Sequence, residues 1–386
     1  MKKSQTPKTA LQLLGGLSSE QFLADYWQKK PLLIRNAIPG FTGLLSPEEL
    51  AGLACEEGVQ SRLISNKNES WRVEEGPFPE ARFLKLPKKH WTLLVQDVNH
   101  HLDEADRLLR QFSFIPYARL DDLMVSYAPD GGGVGPHFDS YDVFLLQGHG
   151  RRLWRISEQQ DLALVEDAPL RILKNFDTQQ EWLLEPGDML YLPPHIAHWG
   201  IAVGDCMTYS IGFRAPSAQE LVSEFLNYLQ EKSVAKGMYA DPDLRSQQHP
   251  AEIGIAMVAQ VGSMLQDVQW DESDVASFLG QYLTAPKADV VFELPDFMEE
   301  AAFRQRLQRE GLQLARKSQL LFHGGSFFMN GDQVELPASS QSILRDFADE
   351  RRMLPSSEPE AALASQLYAW YLDGYVEFPE ARHGSD

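Results

Sequence analysis

At 386 residues and 43% hydrophobic, the chain has material for two or three domains with real cores. Its two cysteines, Cys55 and Cys206, exclude a disulfide framework and a cysteine-rich zinc site and fit a reducing cytoplasm, and no stretch approaches the roughly 18 apolar residues of a membrane span. A formal net charge of −20 repels phosphate backbones, which argues against general nucleic-acid binding and suits a basic partner, although many proteins are acidic for solubility alone.

The opening MKKSQTPKTALQLLGG is mildly basic but has no continuous apolar run and no small-residue cleavage site, so a signal peptide is not expected. Residues 18 to 35 start a helix at Ser-Ser-Glu and end on the strand-like PLLIR. A second helix starts at SPEELAGLACEEG, with Ser46 as N-cap and Pro47 in the first turn. Residues 91 to 112 read as a further amphipathic helix. From 121 to 216 the character changes to short β-rich runs (LMVSYA, DVFLLQG, RRLWRI, EWLLEPGDMLYLPP, MTYSIGFRA) separated by Gly, Pro and Asp. Such spacing predicts an antiparallel sandwich or small barrel. Helical periodicity returns in AQELVSEFLNYLQEKS and near 251 to 283. The last part, 286–386, reads as helix (299–315), hairpin, helix (359–372) and a final short strand, with Asn330-Gly331 as the tight turn of the hairpin. The chain thus divides at 1–120, 121–216, 217–285 and 286–386, and no internal repeat is evident.

The chemistry concentrates in GGGVGPHFDSYDVFLLQGHGRRLWRI. In a strand, residues i and i+2 share a face, so His137 and Asp139 present an imidazole and a carboxylate side by side, with Phe138 turned away. A third ligand is available in LPPHIAHWG, at His198. Two histidines and a carboxylate on one side of an iron ion leave the other side open for a bidentate 2-oxoacid and dioxygen. A lone His-x-Asp is a weak signal, but the Gly-rich approach, the β-rich region and LEPGDMLYLPP all fit a double-stranded β-helix with ligands at its mouth. Glu185-Pro-Gly-Asp188 is read as a structural hairpin turn.

These motifs carry a resemblance. DDLMVSY, PDGGGVGPHFDSYDVFLLQGHGRRLWRI, LEPGDMLYLPPHIAH and YSIGFRAP, with WQKKPLLIRNA and SRLIS upstream, resemble the bacterial ribosomal oxygenases of the JmjC type, which hydroxylate an arginine of a large-subunit ribosomal protein. It runs from about residue 12 to the end, most densely over 121–217. The fold it implies is α+β: a double-stranded β-helix of the JmjC/cupin class with flanking helices, a helical dimerisation segment at 217–285 and a winged-helix-like domain at 286–386. By resemblance His137, Asp139 and His198 fall on the Fe(II) ligands, and Arg152 and Ser126 on the groups that hold the distal carboxylate of the cosubstrate 2-oxoglutarate. A guanidinium suits that carboxylate because its fork reaches both oxygens. Arg151 should point the other way.

At His195 relatives carry a small residue such as Gly; the spacing from the Pro-Pro pair favours His198 as the ligand and leaves His195 in a loop at the mouth. His149 reads as a turn residue, and Trp154 and Trp199 as core or rim packing. Tyr141 and Asp142 are candidate substrate contacts, Tyr141 with strand packing as the plainer account and Asp142 as a partner for a substrate guanidinium. The implied reaction consumes 2-oxoglutarate and dioxygen, and the implied partners are a basic ribosomal protein and a second copy of the chain. Acidic residues outnumber basic ones in the terminal domain, so protein contact rather than direct DNA binding is expected there. The rival readings are a related JmjC hydroxylase or demethylase acting on histidine or methylated lysine or arginine, a non-catalytic dimeric cupin-like binding protein, and a small-molecule cupin enzyme such as an isomerase.

Overall fold

A computed structural model describes residues 10–67, 70–232, 238–355 and 359–379. Most of the opening segment read against a signal peptide lies outside the described residues, as do the ends of the first and last predicted domains. The chain divides into two compact units, residues 1–215 with 289–291, and 216–288 with 292–386. Among the described residues no helix is long and apolar enough to cross a membrane.

The first unit is organised by one antiparallel sheet of nine strands: β1 (Leu32–Ile34), β2 (Ser61–Lys67), β3 (Ser70–Glu75), β4 (Trp91–Val95), β5 (Leu120–Ala128), β6 (Val143–Ser157), β7 (Gln180–Leu184), β8 (Met189–Leu192) and β9 (Ala197–Phe213). Their order is β1-β8-β6-β9-β5-β4-β2-β3, with β7 added against β6. The runs DVFLLQG and RRLWRI, read as separate strands, are one strand of 15 residues. Likewise MTYSIGFRA is the end of a 17-residue strand that begins in HIAH. Their register slips between Gln147 and His149 and again between His149 and Arg151. This bulge divides β6 into a half that pairs β8 and a half that pairs β7, while β9 accompanies both. Gly150 makes the bend possible: its φ is +60°, and a Cβ there would lie 1.9 Å from the carbonyl oxygen of Asp205.

Two N-terminal helices pack against the sheet. Helix α1 (Ser19–Asp25) carries a capping box, Ser18 with Gln21, and α2 (Pro47–Leu53) another, Ser46 with Glu49 and Pro47 at the start. Phe22 of α1 is fully buried, 4.9 Å ring to ring from Tyr191 and 5.4 Å from Phe144. The helix expected over 91–112 is a correction: Trp91–Val95 is strand β4, buried at every residue, and only Asp103–Arg110 forms a long helix, α4, after the single turn α3 (Glu80–Phe83). A strand covered on both faces has no alternation, so its apolar run mimics a helical one.

The second unit opens with α5 (Ala218–Lys232), α6 (Ile255–Gln266) and α7 (Glu272–Thr284), so the segment near 251 to 283 is two helices. Phe225 of α5 packs on Phe278 of α7 at 5.3 Å. Beyond them stand α8 (Glu300–Glu310), a small sheet in which β10 (Leu312–Leu314) is flanked by β14 (Arg352–Met353) and β15 (Val376–Glu377), and a meander of β11 (Leu320–His323), β12 (Ser326–Met329) and β13 (Asp332–Val334). The Asn330-Gly331 turn is present with both φ angles positive, 50° and 98°, as a tight hairpin turn requires. Two helices, α9 (Ala338–Glu350) and α10 (Ala361–Leu372), bury Phe347 and Trp370 beside Phe303 of α8. Sequence reading omits α9, whose N-cap position is Pro337, without a side-chain cap.

Candidate metal centre

His137 and Asp139 lie in the short segment between β5 and β6, where the expected strand is reduced to a single bridge between His137 and His198. The His137 amide donates to the His198 carbonyl at 2.9 Å, and the His198 amide donates back at 2.7 Å. This pairing brings the two imidazoles to 4.2 Å between ring centres. Asp139 Oδ2 stands 3.5 Å from His198 Nε2, and the potential ligand atoms of His137, Asp139 and His198 lie within 4.8 Å of one another. Each imidazole places Nδ1 2.9 Å from the carbonyl two residues before it, Gly135 for His137 and Ile196 for His198. A carbonyl only accepts, so both Nδ1 atoms carry the proton and both Nε2 lone pairs remain for a ligand. Burial, then the neighbouring His137 and against the pull of Asp139, lowers the His198 pKa to about 4. His198 is therefore neutral at pH 7, the form that binds a metal. The side chain of His195 is exposed, its φ is 66°, and its amide donates to the Asp139 carbonyl at 2.8 Å, which fixes the loop.

The triad lines a cavity of about 440 Å³. Arg152 and Ser126 line the same cavity and are both buried, with Arg152 Nη1 donating to Ser126 Oγ at 3.3 Å. Among the described residues, Arg152 Nε and Nη2 are buried without a hydrogen-bond partner. A guanidinium taken out of water with two donors unmet costs several kcal/mol unless an anion joins it. Arg151 is exposed, as expected from strand alternation. The donor set fits iron(II): two neutral imidazoles and one carboxylate on one side, with an anion-receptive guanidinium in the same cavity.

Tyr141 lines the cavity and stays 41% exposed. Burial first, then the Asp139 and Asp122 carboxylates, hold its phenol above the usual range. Asp142 does not reach the cavity, and its expected part as a substrate contact is a correction. It is fully buried; its carboxylate accepts from Tyr191 Oη at 2.6 Å and Gln28 Nε2 at 2.9 Å, with the Arg119 guanidinium 3.6 Å away. Those partners satisfy the carboxylate, and it clamps α1's C-terminal turn to β8. The acidic groups that do line the cavity include Asp121 and Asp122 of β5. Sequence reasoning missed Asp122, although stepping back by two from Ser126 gives Met124 and Asp122, all three on the cavity wall. Asp188 is the turn residue expected of it: it accepts from the Glu185 and Asn36 amides and pairs with Arg35 at 2.5 Å.

Comparison with known proteins gives concordant matches. Residues 107–221 match the JmjC domain model and residues 267–377 the ROXA-like winged helix model. The chain is 35% identical over 326 residues to the ribosomal protein uL16 3-hydroxylase of Escherichia coli (strain K12), covering 83% of this chain and 86% of that protein. It is 39% identical over 257 residues to a probable ribosomal oxygenase of Haemophilus influenzae, covering 65% and 61%. Among solved structures, that of YcfD, a ribosomal oxygenase from Escherichia coli, in complex with cobalt and 2-oxoglutarate superposes with a TM-score of 0.80 at 32% identity, over 94% of this chain and 98% of that one.

Proposed function

The chain belongs to the JmjC-type ribosomal oxygenases, the 2-oxoglutarate-dependent dioxygenases, and we propose that it hydroxylates an arginine side chain of a large-subunit ribosomal protein, using iron(II) held by His137, Asp139 and His198. The observation that carries this reading is the buried, half-satisfied guanidinium of Arg152, bonded to Ser126 in the cavity of the triad. Iron(II) with 2-oxoglutarate and dioxygen would supply an oxidant able to hydroxylate an unactivated C–H bond, releasing succinate and carbon dioxide.

The chain's own residues bind, orient and exclude. Arg152 and Ser126 receive the distal carboxylate of 2-oxoglutarate and so fix which end of it reaches the triad. The backbone bonds between His137 and His198 set the two imidazoles before any ligand arrives. Asp122 and Tyr141, on the cavity wall, suit a cationic side chain with a long apolar stem: Asp122, buried and accepting from the Asp97 amide at 3.1 Å, brings its charge to the cavity wall, and the ring offers its face. This favours arginine over histidine within the same chemistry. The net charge of −20 draws a basic ribosomal protein toward the mouth.

Two further parts of the reading concern partners and place. Helix α6 exposes Ile255, Met257, Val258, Val261, Met264 and Leu265, an apolar stripe that a second copy of the chain would cover. The acidic winged-helix domain serves protein contact and not DNA binding, and the enzyme works with its substrate in the cytoplasm.

The test is mass spectrometry of basic ribosomal proteins after incubation with the enzyme, iron(II), ascorbate and 2-oxoglutarate in air. One added oxygen on one arginine, absent without 2-oxoglutarate, is the expected result. Succinate without that gain would keep the oxygenase and discard the substrate; neither product from iron-loaded protein would favour a binding protein.

A further inference from the structure

Among the described residues, four buried side-chain nitrogen or oxygen atoms have no hydrogen-bond partner: Thr92 Oγ1, Arg152 Nε, Arg152 Nη2 and Trp154 Nε1. Three of the four belong to two residues that stand two apart on β6, on one face of the strand, and both residues line the cavity of the triad. The unmet donors of Arg152 have an acceptor in the reading above. That of Trp154 has none. Its side chain is expected to be packing, and it is 5% exposed, but an indole N–H left unpaired at such depth is unfavourable until an acceptor reaches it.

The surroundings of the ring limit where that N–H can find a partner. Gly200 lies against its benzo edge, so closely that a Cβ there would come within 2.7 Å of Cη2 and Cζ3. The benzo part of the ring is thus covered by β9, which faces it across the strand pair. The ring centre is 5.9 Å from that of His198 and 5.7 Å from the Arg152 guanidinium carbon. All three orphaned atoms are donors, so what completes them is an acceptor with several lone pairs. A carboxylate has about four, enough for the Arg152 fork, Ser126 and one more.

We propose that Trp154 is a cosubstrate-binding residue whose Nε1–H donates to the distal carboxylate of 2-oxoglutarate beside Arg152 and Ser126. The inference rests on the oxygenase reading and adds a specificity element to it: the indole rewards a second carboxylate at the correct reach, which a 2-oxo monocarboxylate lacks.

The test uses the full chain labelled with 15N at its tryptophan indoles and loaded with Zn(II), which does not turn over. The resonance missing from Trp154→Phe identifies the group. If that variant misfolds, Co(II) in place of Zn(II) picks the resonance out by its pseudocontact shift. Adding 2-oxoglutarate should move the resonance downfield and slow its hydrogen exchange, while 2-oxobutyrate, which keeps the chelating end but lacks the distal carboxylate, should leave it in place. Trp154→Phe should bind 2-oxoglutarate about tenfold more weakly by titration calorimetry and 2-oxobutyrate unchanged. An unmoved resonance with Arg152-dependent 2-oxoglutarate binding overturns the role of Trp154 alone. An equal shift with both acids overturns the distal assignment, because the acceptor is then the chelating end. Wild-type protein that binds no 2-oxoglutarate removes the oxygenase reading itself.

Discussion

The His137 and His198 main chains exchange two hydrogen bonds, 2.9 and 2.7 Å, so the two imidazoles are aligned by backbone and not by a metal. Chelation should accordingly leave the fold intact. Far-UV circular dichroism of the enzyme in EDTA is expected to match that of the loaded form, with metal adding stability only by mass action, about 2.7 kcal/mol at a hundredfold excess over Kd. Cooperative unfolding on chelation would show that the metal builds the site.

Replacing His137 or Asp139 by Ala should abolish both substrate hydroxylation and uncoupled succinate formation, with no change in the circular dichroism spectrum. Succinate release that survives either substitution counts against these residues as ligands.

Arg152→Ala should weaken 2-oxoglutarate by about a hundredfold or more, since it removes the partner of a buried carboxylate. Metal affinity, read by displacement with a fluorescent chelator, should stay within about twofold. An unchanged apparent affinity for 2-oxoglutarate sinks the assignment.

Two neighbouring acids should respond differently. Asp122→Asn is expected to raise the KM for the protein substrate more than tenfold, from the loss of a charge-assisted contact, with 2-oxoglutarate affinity preserved. Asp142→Asn should cost about 1–3 kcal/mol in urea unfolding, because Tyr191 and Gln28 lose a charged acceptor. Its substrate KM should not move. The reverse pattern would return Asp142 to the substrate site.

The exposed stripe of α6 makes a prediction about assembly. Val258→Asp with Val261→Asp should shift the chain from dimer to monomer by sedimentation velocity, whereas a wild-type protein that is already monomeric would dispose of the dimer.

How much of this was legible beforehand follows from where each signal sits. That His137, Asp139, His198 and Arg152 share one cavity could be anticipated because their residue types are chemically pointed, although His137 and Asp139 stand in a segment with a single bridge and not in the expected strand. The 15-residue length of β6 was hidden by Gly148 and Gly150, which look like a turn and act as a bulge inside one strand. Strand β4 was hidden by its double burial, which erases the two-residue period. Asp142 and Asp122 show the harder limit. Both are acids near the motif, and only three-dimensional packing decides that one clamps a helix to the sheet while the other lines the cavity.

The long β6–β9 ribbon has a consequence for how such an enzyme changes its target. Arg152, Trp154 and His198 all ride on that ribbon, whereas Arg62, Leu94 and Asp122 line the cavity from β2, β4 and β5. Ser126 shares β5 with Asp122, so the proposed cosubstrate pocket and the cavity wall meet on that one strand, while β2 and β4 carry wall residues alone. Retargeting by edits to β2 and β4 would leave the triad, Arg152 and Ser126 in place, whereas an edit to β5 would reach cosubstrate and substrate together.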